Sequence, residues 1–586
     1  MSPQLADAAH SLGIPERLLH VLLTRGCDTP EALRSFLGDP VRALHDPALL
    51  PDAAAFRDRL VLARSRGERI MVYGDFDADG LTALALMVLA LRAFGLEVEP
   101  YVPTRLADGH GLSIPAVERA LEAGCGVIVT VDCGTSSTDE VATASERGID
   151  VLVTDHHHVP DRAPGAAALV NPHRADASYP DSRLTGAGVA FKLAQLLLAG
   201  EPPTRDAWLD LADLAAIGTV ADVAPLVGEN RGIVRLGLDR IHTSPRPGIA
   251  ALLAAAGLPR ERLDADAISF AVAPRLNAAG RVGDVTLAAR LLLATDAAEA
   301  EGPAARLEEA NRTRRDLTAS AVAEARDVVG DPGEAPAVVV AGEWPVGLIG
   351  LIAGRLSDTL RRPAVVFSTV VDPWRGSARA PTGTLDLAAA FAACQRHFLR
   401  FGGHPEAAGC DLLPGAFDRF RSDFISQAAS APRRPAVADL VVDVALPAAD
   451  VDYGLLGELA RLEPVGVGNL APVVAVLGAT VTRVRAASNG HCQMTVSKGR
   501  EVLDVIAFGR GDLVASVGQG DRVDIVARLA TRRFGGFESL QLELVDIATA
   551  GLWQPAAVPE RHEPGTAGPP APAQHPALVA APEIAS

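Results

Sequence analysis

Short apolar runs that end in polar clusters set the pattern from about residue 67 onward. Ile70–Tyr73, Val127–Val131 and Val151–Thr154 are rich in β-branched residues, and each stops at a group of Asp, Gly or His. Between them, Leu81–Phe94 and Ile114–Ala123 read as helices. Buried strands alternating with helices predict a parallel α/β sheet, whose ligands bind beyond the carboxyl ends of the strands. All three polar clusters fall at that place. Ahead of them, Ser2 to Arg66 reads as short helices broken at Pro15, Pro30, Pro40 and Pro51, an N-terminal appendage.

Further along, Val285–Val329 is rich in Ala, Glu and Arg and predicts a long helix linking two lobes, interrupted near Gly302–Pro303. A second α/β region follows, with strands at Ala337–Ala341 and Ala364–Phe367 and the glycine-rich stretch Phe401–Gly409. From Val473 to Ile547, alternating apolar residues and Gly turns predict a small β-barrel. After Gly551 the chain is largely Pro, Ala, Gly and His, and the expectation there is disorder. The expected division is a helical extension over 1–66, a catalytic α/β lobe over 67–284, a linking helix over 285–330, a second α/β lobe over 331–455, a barrel over 456–548 and a tail over 549–586.

Composition narrows the classes. A chain of 586 residues, 48% hydrophobic and 22% charged, has material for several domains and large cores. No apolar run reaches the ~20 residues that span a bilayer, and Met1–Leu19 lacks a signal-peptide layout, so a cytoplasmic protein without a membrane contact is expected. The six cysteines show no metal-type spacing and read as reduced thiols. The net charge of −18 argues against indiscriminate coating of nucleic acid. Lys192 and Lys498 are the only lysines, so phosphate contacts fall to arginine forks or backbone amides.

The first polar cluster is Asp75-Phe76-Asp77-Ala78-Asp79-Gly80. Three carboxylates at alternate positions between a strand and a helix repel one another unless a cation offsets them. An EF-hand loop is excluded, because Leu86 stands where the bidentate Glu belongs; a solvated acidic turn is the bland alternative. The second cluster, Asp132-Cys133-Gly134, is weak alone. The third, Asp155-His156-His157-His158, offers an imidazole ligand and a carboxylate to fix a ring; its alternative is a surface His run. The fourth is Ala221-Asp222-Val223. Four such clusters on one lobe favour a two-metal hydrolytic centre, and mixed carboxylate and imidazole ligands suit two Mn²⁺ or Mg²⁺ ions.

Together these four clusters resemble the motifs of the DHH phosphoesterases. Arg375-Gly376-Ser377-Ala378-Arg379 and Phe401–Gly409, with its Gly402-Gly403-His404, are similar to the companion DHHA1 domain, whose loop meets the substrate. Ala273–Arg281 and Trp344–Arg355 resemble the single-strand-specific DNA exonuclease branch of that family. The resemblance runs from about Leu12 to Ile547 and implies two α/β lobes, DHH and DHHA1, joined by a long helix, plus a C-terminal β-barrel of OB-fold type. It implies a 5′→3′ exonuclease that hydrolyses single-stranded DNA, acts in recombination and repair as a monomer, and cooperates with a RecQ-type helicase and a single-strand-binding protein. By the same resemblance Asp132 bridges the ions, Asp77 serves one, and Asp79, His156 and Asp222 serve the other. Asp75 is either a ligand or a support, Asp155 supports the His pair, and His157 faces the scissile phosphate. His404 and Gly403 meet a substrate phosphate; Arg105, Asn277, Arg281, Ser377 and Arg379 are candidates for holding the DNA. Gly109-His110-Gly111 departs from the family's Gly-Tyr-Gly.

In the barrel, nine basic and eight acidic residues leave a near-neutral module on an acidic chain, compatible with oligonucleotide binding. Phe534-Gly535-Gly536-Phe537, beside Arg532 and Arg533, reads as an exposed hairpin tip able to stack bases, whereas Phe508 reads as core. The competing functions are a DHH phosphodiesterase of short oligoribonucleotides or cyclic dinucleotides, a family-II pyrophosphatase and a non-catalytic DHH scaffold. The first two leave the barrel unexplained, and the scaffold has no need of the acids and His pair that are all present.

Overall fold

A computed structural model describes residues 2–104, 111–200, 204–431, 440–534 and 537–553. Helices α1 (Pro3–Ser11), α2 (Glu16–Thr24), α3 (Pro30–Leu37) and α4 (Ala53–Arg66) open the chain. Pro30 stands at the first position of α3, where its missing N–H is no loss, so it starts that helix.

The first lobe alternates β1 (Arg69–Gly74), α5 (Ala78–Ala93), β2 (Glu97–Tyr101), α6 (Ile114–Glu122), β3 (Cys125–Val131), α7 (Thr138–Glu146), β4 (Asp150–Thr154) and β5 (Ala168–Val170). The strands are all parallel, in the order β2-β1-β3-β4-β5. Strand order reverses between β1 and β3, which opens a crevice at their carboxyl ends. Helices α6 and α7 cover one face. The other face carries α4 and α5 with α8 (Gly186–Leu198), α9 (Ala212–Ala221) and α10 (Gly228–Thr243). Helix α5 is buried almost all round, because it lies between the sheet and α8 and α9.

The linking segment departs from expectation. After Thr286–Leu292 the chain breaks at residues 293–296, and a single helix then runs from Ala297 to Val329 straight through Pro303. Pro303 forfeits one backbone bond, but Ala300, Ala304 and Leu307 bury that stretch in the core of the first lobe and hold it helical. Asp296 caps the start by accepting from Glu299 N at 2.9 Å.

In the second lobe, β6 (Val338–Gly342), β7 (Ala364–Ser368), β8 (Arg375–Arg379), β9 (Phe398–His404) and β10 (Ala407–Leu412) lie in the order β6-β7-β8-β10-β9, parallel only at β6–β7. The glycine-rich stretch is thus the β9–β10 hairpin. The last module holds β11 (Val444–Ala445), β12 (Val474–Ala487), β13 (His491–Lys498), β14 (Glu501–Ala507), β15 (Arg522–Phe534) and β16 (Phe537–Thr549). Pairing of β12 with β15 closes five of these strands into a barrel.

The first helices are not an appendage. Leu5, Leu18, Leu22 and Leu33 share one core with Val474, Val481, Met494 and Ile525 of the barrel, so the N-terminal helices and the barrel fold together. Val444, Leu446 and Leu455, ahead of the expected barrel start at residue 456, join the same core with Leu459. The physical reason is that α2 and α3 each carry an apolar stripe, and the barrel and its approach segment cover it. All six cysteines are free and buried. Among the described residues no helix is long and apolar enough to cross a membrane. The expected disorder after Gly551 falls mostly on residues 554–586, which lie outside the described residues.

Candidate metal centre

The crevice between β1 and β3 collects the acidic clusters. Asp75 follows β1 and is buried, accepting from Phe76 N at 2.7 Å. Asp77 is the N-cap of α5 and accepts from Gly80 N at 3.0 Å. Asp79 lies in the first turn of α5, pointing at the start of α8: Gly186 N and Ala187 N donate to it at 2.7 and 2.9 Å, and Thr185 Oγ1 at 3.2 Å. The N-terminal end of a helix dipole thus supports one anion.

Asp132 follows β3 in a left-handed backbone conformation, φ +60°. Close packing demands glycine opposite it, since a Cβ on Gly186 would sit 2.4 Å from Asp132 Cβ. After β4, Asp155 accepts from Thr135 N, His156 N and His157 N, and its Oδ1 lies 2.8 Å from His157 Nδ1. Asp222 caps the C-terminal end of α9. His156 Nε2 stands at the middle of the set, 3.1 Å from Asp132 Oδ1, 3.8 Å from Asp222 Oδ2 and 3.9 Å from Asp79 Oδ2.

Three overlapping groups of ligand atoms result: Asp75, Asp77 and Asp132; Asp79, His156 and Asp222; and Asp132, His156 and His157. Asp132 belongs to the first and third, and His156 to the second and third. Asp132 Oδ1 and His156 Nε2 are buried and lack any hydrogen-bond partner. Such atoms are unfavourable unless something binds them, and hard acceptors with one imidazole fit Mn²⁺ or Mg²⁺.

Electrostatics agree. Burial, then the neighbouring Asp75, pushes Asp77 up to about 6; burial, then Asp77, pushes Asp79 up to about 7; burial, then Asp79, pushes Asp222 up to about 6. Asp132 is raised well above its ordinary range by burial and by Asp79 and Asp77. His156 is lowered by burial, so the neutral, ligand-competent imidazole prevails. Asp155 goes the other way: burial opposes ionisation, but the His157 bond and the Thr135 contact hold it well below the usual carboxylate range. That same bond raises His157 to about 9. The carboxylates therefore divide into a set that repel one another, Asp77, Asp79, Asp132 and Asp222, and one, Asp155, already satisfied by a histidine.

Other expected residues lie elsewhere. His404 is exposed at the end of β9, and Gly403 lies so close to the hairpin partner that a Cβ would sit 2.4 Å from Ala407 O. Ser377 and Arg379 lie two apart on one face of β8, with Arg379 Nη1 donating to Ser377 Oγ at 3.2 Å. Arg281 Nη1 donates to Gly347 O at 2.9 Å and so joins the two lobes, while Asn277 carries a buried Oδ1 with no partner. Arg105, His110 and the side chain of Phe534 lie outside the described residues. Phe537 is 82% exposed. Phe508 contradicts its core reading. It is 57% exposed, because it follows β14 at the barrel rim, where its ring stands edge-to-face with that of His491. The sequence reading missed Thr185–Ala187; a Thr followed by Gly-Ala-Gly at a helix start was the available sign.

Comparison with known proteins brings three domain families onto this geometry. Residues 69–219 match the DHH family, N-terminal domain; residues 335–430 match the DHHA1 domain; residues 442–546 match the RecJ OB domain. The chain is 34% identical over 558 residues to the single-stranded-DNA-specific exonuclease RecJ of Bacillus subtilis, covering 94% of this chain and 70% of that one. It superposes on the crystal structure of RecJ in complex with Mn²⁺ from Thermus thermophilus with a TM-score of 0.80 at 30% identity, over 95% of this chain and 79% of that one. For the Mg²⁺ complex of the same protein the TM-score is 0.73 at 29% identity, over 94% and 77%.

Proposed function

The chain belongs to the RecJ family of single-stranded-DNA-specific exonucleases, and from that premise we propose which of its residues do the work. It is a metal-dependent hydrolase of single-stranded DNA, cleaving phosphodiester bonds from the 5′ end to release 5′-mononucleotides in recombination and repair, with two Mn²⁺ or Mg²⁺ ions as cofactors. In our reading Asp77, Asp132 and Asp75 hold one ion, and Asp79, His156 and Asp222 hold the other, with Asp132 shared. Two such ions lower the pKa of a water and offset charge on the phosphoryl oxygens. Asp155 orients His157 and keeps its ring protonated to face the scissile phosphate. His404, Gly403, Ser377, Arg379, Asn277 and Arg281 hold the strand, together with Arg105, and Phe537 and Phe534 stack its bases.

The observation that carries this reading is the pair of buried, partnerless atoms, Asp132 Oδ1 and His156 Nε2, 3.1 Å apart among the acids. The barrel favours a long polymer over the short oligonucleotides or cyclic dinucleotides that two lobes alone could handle. The helical extension, lobes, linking helix, barrel and tail are proposed as its working division, with the barrel's core extended back to Val444. A cytoplasmic monomer cooperating with a RecQ-type helicase and a single-strand-binding protein completes the proposal.

The test is digestion of a long strand labelled at its 5′ or its 3′ end, with Mn²⁺ or with chelator, beside blunt duplex and a short RNA. Metal-dependent loss of the 5′ label as mononucleotide, with duplex spared, is expected. Cleavage of the short RNA alone would overturn the reading in favour of the short-substrate phosphodiesterase.

A further inference from the structure

Helix α10 carries a second buried charge that the metal chemistry does not use. Arg231 is 2% exposed, and among the described residues its hydrogen bonds all go to backbone carbonyls. Its Nη1 donates to Leu462 O and Pro464 O at 2.9 and 3.0 Å, its Nη2 to Glu463 O and Arg461 O at 2.7 and 3.3 Å, and its Nε to Phe36 O at 3.3 Å. A guanidinium has five N–H donors, and here each finds its own carbonyl. The plane of the group lies over the Phe36 ring, 3.8 Å from its centre. Four of the carbonyls fall just after the helix Tyr453–Ala460, at the negative end of its dipole.

Donor and acceptors together join three parts of the chain. Phe36 is in α3, the 461–464 carbonyls lead into the barrel, and Arg231 belongs to the metal lobe. The same segment is gripped again nearby. Asn469 Nδ2 donates to Leu462 O and Pro464 O, both at 2.8 Å, and Asn469 Oδ1 accepts from Arg25 Nη1 at 2.8 Å. Arg25 in turn pairs with Asp443 at 2.9 Å. On the other side, Leu226 N donates to Val467 O at 2.7 Å. Leu226 lies four residues beyond Asp222, in the loop that connects α9 to α10.

We propose that Arg231 is a positioning residue: its carbonyl cage locks the combined unit of barrel and N-terminal helices onto the metal lobe in one orientation, so that a strand lying on the barrel enters the metal centre in register. A guanidinium satisfied by carbonyls from several segments has a fixed direction, which an ion pair between flexible side chains lacks. Two modules that bind one strand reinforce each other only while their geometry permits simultaneous engagement. The inference rests on the reading that the strand runs over the barrel.

Steady-state kinetics on the full-length protein with Mn²⁺ test this, using a long single strand and a dinucleotide too short to reach the barrel. For Arg231→Met the KM for the long strand should rise by about tenfold or more, with kcat on the dinucleotide changed less than about twofold. Arg231→Lys should not rescue, since an ammonium has three donors for five acceptors. Asn469→Ala loosens the same segment without removing the buried cation, and should raise the long-strand KM in the same direction with less risk to folding. Equal loss on both substrates, or full rescue by lysine, would overturn the proposal. A barrel-face change, Phe537→Ala, separates the two readings. If Phe537→Ala raises the long-strand KM and the Arg231 and Asn469 variants do not, only the positioning role fails; if none does, the barrel is not on the strand's path.

Discussion

The first lobe buries two charged clusters, and they are built on opposite rules. At the junction of α8 and α10, Glu229 and Lys192 are both fully buried, 3.0 Å apart. Glu229 also accepts from Tyr179 Oη at 2.7 Å and His45 N at 3.0 Å, while Lys192 donates to His45 O and to Gln195 Oε1, each at 2.6 Å. Charge and hydrogen bonds are closed within the protein. Across α8, at its N-terminal end, Asp75, Asp77, Asp79, Asp132 and Asp222 outnumber the two histidines beside them, His156 and His157, and Asp132 Oδ1 has no donor. Asp75, Asp79 and Asp132 are buried like Lys192 and Glu229, while Asp77 is half-buried and Asp222 lies at the rim. It is the unequal compensation that separates the two clusters: the first is complete as folded, and the second leaves buried acids for cations to offset.

The comparison breaks most visibly at Asp132. Replacing it by Ala should lower hydrolysis by several decades, on the order of 10⁴-fold, as expected when a bridging ligand is lost. The metal-free fold should be no less stable, since an unmatched buried anion has gone. Hydrolysis with Mn²⁺, paired with thermal unfolding in chelator, checks both halves; near-normal activity with both ions retained would remove the two-metal reading. Lys192→Met should do the reverse. It leaves Glu229 buried and unpaired, which costs about 3–5 kcal/mol of stability, measurable by denaturant unfolding. Manganese stoichiometry in the surviving folded protein should stay the same.

Much of this contrast was legible in the residues. Alternate carboxylates after an apolar strand announce mutual repulsion, and Asp155-His156-His157 announces a ligand with its support, because both are local in sequence. The Glu229–Lys192 network was not legible, because Tyr179, His45, Lys192 and Glu229 come from four separate segments. The union of α1–α3 with the barrel escaped for the same reason: an apolar stripe on a helix says that it is covered but not by what. Phe508 was misread because an aromatic at a strand end has the same local pattern whether it turns in or out. The linking helix ran through Pro303 because core packing outweighed one lost backbone bond.

A pH series in chelator sharpens the contrast at smaller amplitude. Asp77, Asp79 and Asp222 have folded values of about 6, 7 and 6, above the 3.8 of the free carboxyl. Between these limits the folded state holds more protons than the unfolded one, so stability should fall as pH rises from about 4 to about 7, and His157, raised to about 9 in the fold, extends the decline beyond that. Saturating Mn²⁺ should abolish or invert that slope, because the cations favour the ionised carboxylates and add binding free energy to the folded state. Unfolding midpoints with and without Mn²⁺ decide it: a flat profile in chelator would mean that the acids are matched after all.

The smallest expected effect lies between the two rules. Asp79 is a ligand candidate, yet it is partly compensated by Gly186 N, Ala187 N and Thr185 Oγ1 at the start of α8. Such supports orient a ligand and tune its charge, so Thr185→Val should weaken Mn²⁺ binding by about tenfold. Thr185 also caps α8 by accepting from Gly188 N at 3.2 Å, so the same change costs about 1 kcal/mol of stability. Thr185→Ser separates the two roles from packing, because it keeps the hydroxyl and should restore both affinity and stability. If Val lowers stability while Mn²⁺ affinity, read by calorimetry, is unchanged, the Thr185 hydroxyl serves the helix alone. Asp79 would then depend on the two backbone amides of Gly186 and Ala187.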